Sequence, residues 1–306
     1  MIIILALLLI TEGSGQQITK NGSEKQITFG GGPDNRPAWS PDGQNIAFHS
    51  PRGGNAFNIW VVPAKGGQLK RLTHTSKDEN YPVWSPDGGK IAFIRYVGPA
   101  TQGRGNIVVM APDGTNQNEL TNDGTIKTDV KWHPDGKNLI YSEGRGDKAT
   151  FETDVWILNI ENKNRIKLIE GYKERTKKGL AIGNIAIDSK GDRLAFSAIP
   201  ETSSKVFWLY VMDIKVKKPV PIVTDMDRPW FPDWSPDGKW IAFHAGKMGS
   251  GGIWIVRPDG SERTKLIQSG IGDRFPSWSP DGKRIAFTRG TYEKGNIFIF
   301  EFHTTL

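Results

Sequence analysis

A ten-residue segment recurs along the chain and limits what it can fold into. Trp39-Ser-Pro-Asp-Gly-Gln-Asn-Ile-Ala-Phe48 returns as Trp84 to Phe93, Trp132 to Tyr141, Trp234 to Phe243 and Trp278 to Phe287. A degenerate copy, Ile187 to Phe196, lacks the Trp and the Pro. The copies start 45, 48, 55, 47 and 44 residues apart. Six units at such a period point to a closed radial array rather than to two ordinary domains.

Each unit reads as four strands. An apolar strand ends at the Trp, and Pro-Asp-Gly turns the chain, because Pro presets φ and Gly accepts positive φ. A second strand such as Ile46-Ala-Phe48 follows, then a third such as Asn58 to Val62 or Asp154 to Leu158. These runs are β-branched and aromatic, as a buried sheet requires. A fourth strand ends in Arg71-Leu-Thr73 or Glu119-Leu-Thr121. The sixth unit supplies only three strands before Leu306, and Lys25-Gln-Ile-Thr-Phe29 carries the fourth-strand pattern. The expectation is an all-β, six-bladed β-propeller of four-stranded antiparallel blades, closed by the N-terminal strand. Closure removes an open sheet edge.

The Trp-Ser-Pro-Asp-Gly-x-x-Ile-Ala-Phe repeat resembles that of TolB and related periplasmic propellers. The resemblance covers residues 16–306 and implies contact with a protein in the cell envelope. It extends to the propeller half only: TolB carries an α/β domain before its propeller, and none is expected here. Related propellers serve as peptidase gates, lyases and docking platforms, so the fold does not name the function.

Residues 1–15 are expected to form a separate signal-like segment. Met1 to Ile10 is apolar, about half the roughly 20 residues a membrane helix needs, and is followed by Gly13, Ser14 and Gly15. It resembles the core of a secretory signal without the usual basic start. A periplasmic or secreted location and no transmembrane span are therefore expected.

Strand order puts the segments before each Trp and the loops after each Phe on one face. That face is irregular. It carries Asp34, Arg36, Asp78 and Asn80, then Asp227, Arg228 and Trp230, then Asp273 and Arg274. From the loops after the second strands come His49, Arg52, Arg95, His244 and Arg289. Alternating Asp and Arg beside aromatic residues suit a partner interface. Taken singly, the same Asp and Arg residues suit ion pairs that brace the ring. The other face, built from short repeated turns, reads as scaffold.

Nothing in the motifs argues for catalysis. The chain has no cysteine, which excludes disulfides, thiolate metal sites and cysteine nucleophiles. There is no Gly-x-Ser-x-Gly elbow and no phosphate-binding Gly-rich loop. The five histidines include no His-x-x-His spacing. His49 and His244 fall in the first and fifth blades, so no metal site and no cofactor are expected. The net charge of +7 is spread out. Its clusters, Lys173 to Lys178 and Lys215 to Lys218, read as solvated edge lysines, and no nucleic-acid module is present. The reading is a monomeric, non-catalytic docking propeller for a protein or peptide. An anionic glycan is the second candidate ligand, and a carbohydrate-active enzyme of the polysaccharide-lyase kind is the alternative. A propeller module detached from a larger peptidase or receptor is a third.

Overall fold

The computed structural model describes residues 22–30, 32–98, 103–144, 153–171, 181–200, 206–247, 249–291 and 293–303. They form six four-stranded antiparallel sheets. The first blade takes Asn35–Trp39, Asn45–Ser50, Asn58–Pro63 and Lys70–Arg71, from the inside outward. The innermost strands of the other five are Glu79–Trp84, Ile126–Trp132, Ala181–Ile187, Trp230–Trp234 and Asp273–Trp278. Each innermost strand touches those of its two neighbours, so the six close a ring around a central channel. Apolar second- and third-strand residues fill the space between blades; Ile46, Phe48, Phe93, Phe196, Phe243 and Phe287 are fully buried.

The repeat spells out its own hydrogen bonds. In the first turn Ser40 Oγ donates to Asp42 Oδ1 (2.5 Å), the Gln44 N–H donates to the same oxygen (2.9 Å), and Gly43 takes φ 68°. Ser85–Asp87, Ser235–Asp237 and Ser279–Asp281 repeat the arrangement. The degenerate copy replaces Ser with Asp188, whose Oδ1 accepts the Asp192 and Arg193 N–H groups. The motif Trp ties blades together. Trp39 Nε1 donates to Ser277 O (3.0 Å), Trp132 Nε1 to Val83 O (3.1 Å) and Trp234 Nε1 to Ala186 O (3.3 Å), each in the preceding blade.

The ring closes as expected, with a shifted strand. Gly22–Gln26 pairs with the last strand, from Gly22 opposite Phe302 to Gln26 opposite Phe298. The expected Lys25 to Phe29 segment lies further along. Its Ile27 and Thr28 occupy the place of Leu72 and Thr73 in the first blade. In both blades the Thr hydroxyl accepts a third-strand N–H, from Ile297 to Thr28 and from Ile59 to Thr73, each at 2.9 Å. Thr121 does the same for Ile107. The apolar-Thr pair therefore marks where the fourth strand leaves its ladder, and the paired residues precede it.

Candidate functional site at the channel mouth

Both ends of the channel are defined by backbone contacts. The Tyr96, Gly246 and Gly290 N–H groups donate to Asp78, Asp227 and Gly272 O, joining second-strand exits to first-strand entries on one face. Ala64, Ile160 and Ile214 donate to Gln44, Lys137 and Asp192 O, which puts the Pro-Asp-Gly turns and the outer hairpin turns on the other.

The first face is shaped by one deformation repeated in every blade. Pairing of the first and second strands slips at Asn35/Ala38, Asn80/Val83, Trp230/Asp233 and Arg274/Ser277, and likewise in the third and fourth blades. Such a bulge re-aims a side chain. In four blades the residue three before the Trp has positive φ: Arg36 (53°), Tyr81 (61°), Phe231 (56°) and Phe275 (55°). Each precedes a proline, which supplies no N–H to the ladder at the slip. A left-handed conformation costs a non-glycine residue on the order of 1 kcal/mol or more, and such strain concentrates at functional sites.

The four side chains converge. The Arg36 guanidinium lies 4.0 Å from the Tyr81 ring centre, 4.6 Å from Phe275 and 4.8 Å from Phe231. Phe231 and Phe275 stand 4.3 Å apart. Tyr81 and Phe231 come from the second and fifth blades, which are not neighbours, so a cation touching both stands near the ring axis. Arg36 thus plugs the mouth in a box of three rings. Cation–π contacts contribute about 0.5–2 kcal/mol each. Among the described residues the Arg36 fork makes no hydrogen bond or ion pair.

Behind the plug lies a channel of about 440 Å³ that reaches turn residues Pro41, Pro86, Pro134, Ser189 and Pro280. Its charged lining includes Asp129, Lys131 and Asp233. Lys131 Nζ stands 3.9 Å from Asp129 Oδ1. Asp233 lies deep in the ring but half-buried, with part of its surface on the channel space. It accepts the Trp278 N–H (2.7 Å). Burial raises its pKa to about 6, against the opposing pull of Lys131 and that same hydrogen bond.

A second space of about 340 Å³ involves Arg36 together with Asn35, His49, Phe57, Asn80, Tyr81 and Phe275. His49 Nδ1 accepts the Tyr81 N–H (3.3 Å). Burial, and secondarily the Arg36 charge, hold its imidazole well below the usual histidine range, so it is neutral. Asn80 Oδ1 is buried with no hydrogen-bond partner among the described residues.

The other residues expected at this face are used in several ways. Asp34 pairs with Arg52, Arg95 with Glu79 (2.7 Å), and Arg289 with both Asp273 and Glu24 (2.6 Å each). Asp34, Glu79 and Asp273 are fully buried. The third blade reverses the polarity, with Lys127 opposite Glu143. Asp78 accepts the Phe57 N–H. Arg274 is buried and donates to Thr291 O (2.5 Å), and His244 Nδ1 is 2.8 Å from Asp273 O. Asp227 is exposed at the rim, Arg228 lies 5.5 Å over Trp230, and Trp230 packs on Phe207. Arg36, His49 and Asn80 are brought together; the ion pairs are internal to their blades. Among the described residues no group of three His, Asp or Glu side chains is placed to hold a metal ion. The Met1 to Ile10 run and the Lys173 to Lys178 cluster lie outside the described residues.

The TolB beta propeller domain family matches residues 8–102. TolB from Acinetobacter baumannii superposes with a TM-score of 0.66 at 22% identity, over 81% of this chain and 57% of that one. A putative TolB from Agrobacterium tumefaciens gives 0.66 at 19%, over 88% and 90%. The chain is a TolB-like β-propeller. Other propellers share the TolB-like fold, among them oligogalacturonate lyase from Vibrio parahaemolyticus (TM-score 0.63, 10% identity, 91% of this chain and 93% of that one). An uncharacterized protein of Agrobacterium fabrum is 30% identical over 46% of this chain and 58% of its own length. The TolB-like chain thus spans less than two thirds of that relative and of the Acinetobacter TolB. No helix among its described residues is long and apolar enough to cross a membrane.

Proposed function

We propose that this TolB-like propeller is a non-catalytic docking module of the cell envelope, and that it takes a segment of a partner protein at the channel mouth. The observation that carries the reading is the Arg36 plug. Strained backbone in four blades gathers one cation and three rings at the axis, while the cation's hydrogen-bonding fork has no partner among the described residues. Arg and aromatic residues at the centre of a concave surface are the usual anchors of an interface. Trp230, Asp227 and Arg228 extend the same face outward.

The test is affinity capture from an envelope extract of the source cells. The bait is the full chain, beside Arg36→Glu, Trp230→Ala and a Lys215→Glu control on the opposite face. A protein held by the chain and the control and lost from the first two variants supports the reading. Equal capture by all four removes it.

One observation favours a carbohydrate-active alternative. Asp233, poised near pH 6 beside Lys131 in the channel, suits proton abstraction near neutral pH. Unsaturated product released from oligogalacturonate, and lost in Asp233→Asn, would support it; no product from the intact chain would retire it.

A further inference from the structure

We propose that the pocket beside Arg36 recognises a carboxylate carried by the docked peptide segment. This deepens the docking reading and rests on it. Three features of the pocket converge on that chemistry. The Arg36 guanidinium is fixed by Tyr81, Phe231 and Phe275, and its fork has no hydrogen bond or ion pair among the described residues. A planar fork held in place matches a carboxylate in two parallel hydrogen bonds. His49 supplies a further donor. Its Nδ1 accepts the Tyr81 N–H, which leaves the proton of the neutral ring on Nε2. Asn80 Oδ1 supplies the complement, a buried acceptor with no hydrogen-bond donor among the described residues. Leaving it unmatched costs about 1–3 kcal/mol, so a ligand that brings a donor is favoured.

A ligand that satisfies all three presents an anionic oxygen pair and a donor close beside it. A peptide does so wherever a carboxylate neighbours a backbone N–H, at its C-terminus or at an acidic side chain. The remaining walls are the amide of Asn35 and the rings of Phe57, Tyr81 and Phe275. The rings suit an apolar neighbouring side chain. The peptide is the occupant because the pocket opens on the mouth where a partner segment docks; a hexuronate is an outcome of the test.

The probe is a set of short random peptides in three forms, tested for retention by the full chain. One form has a free C-terminus and no acidic residue. The second is C-terminally amidated with one internal Asp or Glu. The third is amidated and has no acidic residue. Retention of the first or second form roughly tenfold above the third, abolished in Arg36→Gln and partly kept in Arg36→Lys, bears the proposal out. The first form ahead of the second names the chain end; the reverse names a side chain. Melting curves establish that the variants fold, and the contrast between free acid and amide needs no variant. Equal retention of all three forms overturns the carboxylate and leaves docking standing. So does failure of all three while the captured partner still binds. Binding of oligogalacturonate alone overturns both readings.

Discussion

Asp233 sets a carboxyl against its own solvation. Its pKa of about 6 lies above the unfolded value of about 3.9, so the native state keeps a proton that the unfolded chain has released. Stability from this group is therefore fully present at about pH 4, falls as pH rises to about 6, and stays low above that. Asp233→Asn keeps an oxygen for the Trp278 N–H and removes the charge. Because part of Asp233 borders the channel, the expected gain is moderate. The variant should be more stable at pH 8 by on the order of 2 kcal/mol, with the difference vanishing near pH 4, as read from chemical denaturation at both values. Sequence reading reached Arg36, His49 and Asn80 but not Tyr81, Phe231, Phe275 or Asp233. A signal was present: Arg36-Pro, Tyr81-Pro, Phe231-Pro and Phe275-Pro each stand at one offset before the Trp. It was illegible as a cluster because the left-handed backbone that turns those side chains to the axis is imposed by the bulge, not by local propensity.

At the scale of the strand, the ring depends on polar groups that replace ladder hydrogen bonds. Thr73 Oγ1 accepts the buried Ile59 N–H. Thr73→Val should lower stability by about 1–2 kcal/mol, since it leaves that donor unpaired in the same volume; thermal or urea unfolding reads the loss. The ion pairs between first and second strands behave differently from surface pairs. Glu79 is fully buried and its carboxylate leans on Arg95. Arg95→Leu should cost about 3 kcal/mol, and adding Glu79→Leu should recover much of it, because the penalty comes from the orphaned charge. A double-mutant cycle in urea separates the two. The strands themselves were legible from period and turn chemistry. Which charged residues pair was not, because Asp34 with Arg52 and Asp273 with Arg289 meet only once the second strand folds back on the first.

For the whole molecule, the ring is held shut by Gly22–Gln26 and the Ile27-Thr28 pair that follows it. Deleting residues through Phe29 exposes the edge of the last strand, and an open edge invites pairing between chains. The deletion should lower the melting temperature and shift the protein to larger species on size exclusion; an unchanged elution volume and melting point would argue that the ring closes without it. Closure was legible because a fourth-strand pattern stood at the N-terminus, and only its register needed the structure. The irregular face was legible from strand order, whereas the cluster at its centre needed coordinates, since Tyr81 and Phe231 are brought to one cation from opposite sides of the ring. The most direct measurement of docking at that centre places a photo-crosslinking amino acid at Asp227, on the rim, and separately at Lys215, on the opposite face. Irradiation with the captured partner should yield a covalent product from position 227 and none from 215. A product from 215 alone would contradict the account, since it would place the partner on the scaffold face.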